Sequence, residues 1–113
     1  MTSCIFCKIV AGERPAQIVY QDEQVTAFRD IHPVAPVHIL IVPNRHIDSV
    51  NELSQSDEPL AGCLFTVARQ IAKEQGVDGD GYRLVVNTGW QGGQTVFHMH
   101  IHLIAGRQMR ALG

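Results

Sequence analysis

The sequence predicts an α+β fold: a five-stranded antiparallel sheet with one long helix and a short N-terminal helix. Three observations carry that prediction. Five short runs rich in β-branched and aromatic residues, at 18–20, 25–28, 37–42, 82–86 and 96–104, are separated by turn residues. Only one long stretch, from Ser56 to Gly76, spaces its apolar residues at the helical period, whereas a doubly wound sheet would need several helical crossovers. The first two runs are joined by Gln21-Asp22-Glu23-Gln24, a connection of hairpin length, which makes their pairing antiparallel.

In chain order, Cys4-Ile5-Phe6-Cys7 opens a short apolar segment that Ala11-Gly12 closes, the length of a helical turn or two. The Cys-x-x-Cys spacing is compatible with a redox pair or with half of a zinc site. The hairpin strands follow. Asp30 and the pairs His32-Pro33 and Ala35-Pro36 then force extended, unpaired backbone. Val37 to Val42 is apolar at nearly every position, as a strand buried on both faces must be, with His38 at its start. A turn of helix is expected within 46–53. Ser56-Asp57-Glu58-Pro59 carries helix-start signals: a capping hydroxyl, acids in the first turn and an early proline. Leu60, Leu64, Val67, Ile71 and Ala72 then form one apolar stripe, and Gly76 is the natural stop. After Asp78-Gly79-Asp80-Gly81, the fourth strand runs from Tyr82 to Val86, and a loop at 88–93 leads to the fifth.

With 113 residues, 45% hydrophobic and 18% charged, the chain suits one domain, 1–113, with a real core. The net charge of -2 and the lack of a Lys/Arg block exclude nucleic-acid or membrane binding by bulk electrostatics. No stretch approaches the roughly 20 apolar residues of a bilayer span. No leader segment precedes Cys4, and three cysteines are an odd number for a disulfide framework, so a cytoplasmic location is expected. Cys63, inside the helical stripe, reads as a core thiol.

The fifth strand holds the chemistry. Gly92-Gly93-Gln94-Thr95 leads into Val96-Phe97-His98-Met99-His100-Ile101-His102-Leu103-Ile104, an alternation with the strand period of two. His98, His100 and His102 are expected on one face with Val96 and Ile104. Phe97, Met99, Ile101 and Leu103 are expected on the other, covered by the long helix. Neighbouring imidazoles would stand roughly 6.5–7 Å apart. Packing does not call for three of six histidines in five residues. Glycines allow backbone amides to cradle an anion, and a neutral imidazole is a nucleophile near pH 7. Two chemistries compete: three histidines around a metal that activates water, or one histidine attacking phosphorus while its other nitrogen is held by a carbonyl.

The run from His98 to Ile104 resembles the H-φ-H-φ-H-φ-φ signature (φ apolar) of the histidine triad superfamily. Further stretches are similar to its nucleotide-binding branch: 4–9, 28–31, 35–38, 42–43, 86–87, 92–96 and 106–109. That resemblance implies a homodimer whose two five-stranded sheets join into ten strands. It also implies hydrolysis of purine nucleoside phosphoramidates, releasing AMP and an amine through a covalent nucleotidyl-histidine. The alternatives it leaves are hydrolysis of dinucleoside polyphosphates or other nucleotidyl esters, and an AMP-binding regulatory protein with incidental hydrolysis.

By the same resemblance His100 is the nucleophile, the carbonyl of His98 orients it, and His102 and His38 contact phosphate. Asn87, Gly93, Gln94, Thr95 and Val96 match the phosphate loop, with Thr95 where relatives more often have serine. Asp30 matches the acceptor of the ribose hydroxyls, and Phe28 and Ile31 flank the base. Cys4, Cys7, His46 and His98 match the ligands of a structural zinc in bacterial members, and no catalytic metal is required. The segment from Arg110 to Gly113 lacks the Trp-Pro-Pro-Gly-like tail of many relatives, so cross-dimer shaping of the leaving-group site is not expected from it. Trp90 is either an apolar wall or an exposed loop side chain, and His32 a solvated turn residue.

Overall fold

The computed structural model describes residues 3–113. The part of the leader reading that concerns Met1 and Thr2 lies outside them. Helix α1 (Ile5–Val10) is followed by strands β1 (Ile18–Gln21), β2 (Val25–Arg29) and β3 (Val37–Pro43). Helix α2 (Glu58–Glu74) and strands β4 (Tyr82–Val85) and β5 (Ile101–Ala105) complete the chain. The strands form one antiparallel sheet in the order β1-β2-β3-β5-β4. The last strand is therefore inserted between β3 and β4, which brings the end of the histidine run beside His38.

The pairing register decides what each face carries. Ile39 pairs with Leu103 and Ile41 with Ile101. These side chains are fully buried with Leu64, Val67, Ile71 and Ala72 of α2, as the stripe predicted. On the opposite face Phe28 pairs with Leu40, and Leu40 with His102. There α1 supplies the cover, with Phe6 and Ile9 packed on Phe28, Leu40 and Val42. The long helix thus serves the core, and the short helix serves the face that holds histidines.

Helix α2 starts at Glu58, with the acid and the proline expected in its first turn, but its N-cap is Asp57 rather than Ser56. Ser54 caps a separate 3₁₀ turn, Gln55–Asp57, just ahead of it: its backbone N–H and hydroxyl both donate to Asp57 Oδ2, at 2.9 and 3.1 Å. Asp57 also pairs with Arg45 at the exit of β3. The helical turn expected within 46–53 is a single 3₁₀ turn, Val50–Glu52, capped by Ser49. Past the end of α2, Gly76 takes φ 72° and the Val77 N–H returns to the Ala72 carbonyl at 3.0 Å.

The fifth strand is shorter than its alternation predicts. Ladder pairing begins only at Ile101, and residues 96–98 bend. The backbone there bonds elsewhere: Met99 N–H donates to the Ile47 carbonyl at 2.7 Å, and the Val96 carbonyl accepts at 3.1 Å from the Gln94 side-chain Nε2, which also donates to the Asp48 carbonyl at 2.7 Å. Met99 stays in the core, but Phe97 leaves the buried face and is 46% exposed. Cys63 is half-buried against the core rather than inside it. Among the described residues no helix is long and apolar enough to cross a membrane.

Candidate functional site

The histidines of the run do not form one row. The bend ahead of β5 sends His98 to one group and leaves His100 and His102 in another. His98 is fully buried. Its Nδ1 lies 3.4 Å from Cys4 Sγ and 3.5 Å from Cys7 Sγ, while Cys7 Sγ is 3.3 Å from His46 Nδ1. The far ring nitrogens are committed: His98 Nε2–H donates to the Pro43 carbonyl at 2.7 Å and His46 Nε2–H to Asp48 Oδ1 at 2.6 Å. Both Nδ1 atoms therefore carry lone pairs aimed at the thiols. The four donor atoms lie within 4.8 Å of one another, a group able to hold a metal ion. Carbonyl and carboxylate partners on the outer nitrogens are the usual support of metal-bound imidazole.

His100 stands on the other side of His98. Its Nδ1–H donates to the His98 carbonyl at 2.7 Å, which leaves the Nε2 lone pair uncommitted. The adjoining histidines are fixed in the same way. The Val34 N–H donates to His38 Nδ1 at 3.1 Å, so His38 carries its proton on Nε2 and gives it to His102 Nδ1 at 2.9 Å. Asp30 Oδ2 is 3.5 Å from the same His38 nitrogen. His102 is then protonated on Nε2. The rings of His100 and His102 are 4.9 Å apart, closer than a flat strand would place them.

Burial is the main reason that all four histidines are held below the usual imidazole pKa. For His102 the neighbours His100 and His38 add to burial, and its pKa falls to about 4. Desolvation lowers His38 and His100 as well, opposed at His100 by the bond to the His98 carbonyl and at both by Asp30. At His98, desolvation outweighs the bond to Pro43. Near pH 7 the group is neutral, the state in which imidazole can attack or ligate.

His38, His100 and His102 line a cavity of about 490 Å³. Phe28, Asp30, Ile31, Thr95 and Val96 line it too, with Ile31 at the mouth and 82% exposed. The size suits a small organic ligand. Asn87, Gly93, Gln94 and His98 are not in its wall. The glycine loop is closed on itself: Gly93 N–H donates to the Trp90 carbonyl and Gln94 N–H to the Gly89 carbonyl, each at 3.1 Å. Asn87 Nδ2 holds the Gly92 carbonyl at 2.8 Å, and the Gln94 side chain, 1% exposed, accepts from Gly89 N–H at 2.9 Å. Within the expected cradle of Gly92, Gly93, Gln94 and Thr95, the Gly93 and Gln94 amides are thus engaged inside their own loop. Trp90 is 85% exposed at the loop tip, and His32 is exposed as expected.

One wall was missed in the sequence. Ile5, Phe6 and Ile9 of α1 line the cavity, and the Phe6 ring meets His100 edge-on at 5.1 Å. The spacing of Ile9 from Phe6 (i, i+3) and from Ile5 (i, i+4) was the available signal. Among the described residues, the three histidines of the run are not a metal-holding group, since Cys4, Cys7, His46 and His98 form one such cluster and Asp30, His38 and His102 the other.

The HIT domain family matches residues 11–109. The chain belongs to the HIT domain family. It is 53% identical over 105 residues to the purine nucleoside phosphoramidase of Escherichia coli strain K12, covering 93% of this chain and 88% of that one. Among solved structures, a histidine triad protein from Clostridium difficile superposes with a TM-score of 0.96 at 42% identity, over 100% of this chain and 98% of that one. A zinc-bound histidine triad family protein from Mycobacterium smegmatis superposes at 0.81 with 32% identity, over 93% and 76% of the two chains. The sheet order and the two helices described above are thus those of a HIT fold.

Proposed function

We propose that this HIT domain protein hydrolyses purine nucleoside 5′-phosphoramidates, using His100 as a covalent nucleophile. The observation that carries the reading is the bond from His100 Nδ1–H to the His98 carbonyl, which leaves an unprotonated Nε2 on a residue lining the cavity. The named activity of the Escherichia coli relative supports the substrate class.

In the first half-reaction His100 Nε2 forms a bond to the α-phosphorus as the substrate's P–N bond breaks. The departing amine takes a proton that enters from solvent. Water then cleaves the nucleotidyl-His100 bond, releases the nucleoside monophosphate and returns that proton. His102, holding its proton on Nε2, donates to a phosphoryl oxygen as charge develops there, and His38 keeps it in that tautomer. Asp30 accepts from the ribose hydroxyls, with Phe28 and Ile31 beside the base. Thr95 and Val96 border the phosphate, and Asn87, Gly93 and Gln94 act by shaping the loop that carries them.

The Cys4, Cys7, His46 and His98 cluster is assigned to structural zinc. A tetrahedral ion with Zn–S of about 2.3 Å and Zn–N of about 2.0 Å sets sulfur and nitrogen ligands about 3.5 Å apart. The thiol-to-imidazole separations of 3.3 to 3.5 Å fit that set. When bound, zinc would cross-link the N-terminal helix to His46 and His98. Two copies are proposed to pair through the edge strand β4, whose residues are only half-buried, into a ten-stranded sheet. The compartment proposed is the cytoplasm, with neither nucleic acid nor membrane as a partner, in keeping with the weak net charge.

The test is a substrate panel. Adenosine 5′-phosphoramidate and an AMP-lysine conjugate should be turned over far faster than a dinucleoside polyphosphate. The reverse order would move the reading to nucleotidyl esters. Tight AMP binding without turnover would move it to a regulatory role.

A further inference from the structure

We propose that the Cys4/Cys7/His46/His98 cluster and the cavity are energetically coupled: a metal ion in the cluster tightens binding in the cavity, and a nucleotide in the cavity tightens the metal. This rests on the nucleotide reading of the cavity. Two short connections join the sites. The first is His98 itself, whose Nδ1 faces both thiols while its carbonyl holds His100 Nδ1–H at 2.7 Å. The second is Phe6, which lies between the two cysteines in sequence. Its ring meets His98 at 5.9 Å, His100 at 5.1 Å and Phe28 at 5.3 Å, with interplanar angles of 66°, 86° and 73°.

Helix α1 is what both sites share. It carries the Cys4 and Cys7 donors and, through Ile5, Phe6 and Ile9, a wall of the cavity. A helix of six residues is far too short to be stable alone, so its position depends on tertiary tethers. Packing of Phe6 and Ile9 is one tether, and the bond from the Gln21 side chain to the Val10 carbonyl at 3.2 Å is another. At the start of the helix the Cys4 and Cys7 thiols touch the His98 and His46 rings. A metal ion would fix its start, binding residues 4 and 7 to 46 and 98, and would hold Phe6 against His100. Ordering the wall before a ligand arrives removes part of the ligand's entropic cost, and linkage requires the same factor in the opposite direction.

The experiment measures AMP binding by calorimetry to the metal-free and the zinc-loaded full chain, and zinc affinity with and without saturating AMP by competition with a colorimetric chelator. Coupling at the usual scale predicts that zinc lowers the Kd for AMP about tenfold, and that AMP lowers the Kd for zinc by the same factor. Phe6→Leu, which keeps an apolar side chain, should retain zinc and lose much of that factor. Cadmium-loaded protein gives a readout that needs no metal-free form: its cadmium NMR resonance should move saturably as AMP is added. AMP affinities within twofold for folded metal-free and loaded protein would overturn the coupling and leave the nucleotide reading standing. So would a cadmium resonance that saturating AMP does not move. Loaded protein that binds no AMP would overturn both.

Discussion

The Nδ1 of His100 lies 2.7 Å from the carbonyl oxygen of His98, and His98 in turn directs its own Nδ1 at two thiols. One residue therefore serves a reactive-looking group with its backbone and a metal-holding group with its ring. The alternation of the sequence hides that division of labour, because it writes the histidines as equals.

His38 is expected to act through His102. Its Nε2–H is the donor to His102 Nδ1 at 2.9 Å, so removing it frees His102 to take the other tautomer. His38→Ala should lower kcat about 10²-fold, the lower range for loss of a positioned proton-handling group, with a much smaller change in KM. Steady-state kinetics on a phosphoramidate check the split. An equal loss in both would mean that His38 merely shapes the cavity.

Stability should depend on pH in a defined window. Burial first, then His100 and His38, push the folded pKa of His102 down to about 4. The unfolded chain titrates this group near 6.5, so between about 4 and 6.5 it binds more protons than the folded one. The stability from a neutral His102 is complete above the upper value and is lost as pH falls toward the lower. The urea midpoint should drop from pH 7.5 to pH 4.5, and His102→Gln should flatten that slope.

Gly92 admits no side chain. A Cβ built there would stand 2.2 Å from the Thr88 carbonyl oxygen, a backbone atom that cannot step aside cheaply. Gly92→Ala should destabilise the protein by about 1–3 kcal/mol through local strain, read from the urea midpoint. Gly93→Ala would meet only Asn87 Nδ2, at an ordinary contact distance of 3.6 Å, but sits at φ 81°, so its cost is conformational.

Metal removal should act through the fold. Chelation is expected to lower the melting temperature, with activity declining as the N-terminal helix loosens rather than vanishing on mixing. Melting curves and a time course after chelator addition follow both. Immediate loss of turnover at an unchanged melting temperature would favour a metal ion that takes part in the reaction.

Much of this was legible in the residues. The stripe at Leu64, Val67 and Ile71 located α2 and the face that it covers, and the unbroken apolar run at 37–42 marked β3 as a central strand. Spacing fails where backbone groups have competing partners. Met99 and Gln94 bond to the loop at 47–48, so the strand starts at Ile101 and Phe97 turns outward. Local patterns also cannot announce a contact such as Phe6 on His100, which joins residues 94 positions apart. Nor could the glycine pair reveal that the Gly93 and Gln94 amides bond within their own loop, since a closed turn and an open cradle share the same composition.

The most direct measurement is a chemical trap. Protein mixed with a radiolabelled adenosine phosphoramidate and quenched in base should carry one adenylyl group on His100, and His100→Ala should lose both the label and turnover. Turnover that survives in His100→Ala, or a label found on another residue, would contradict the account.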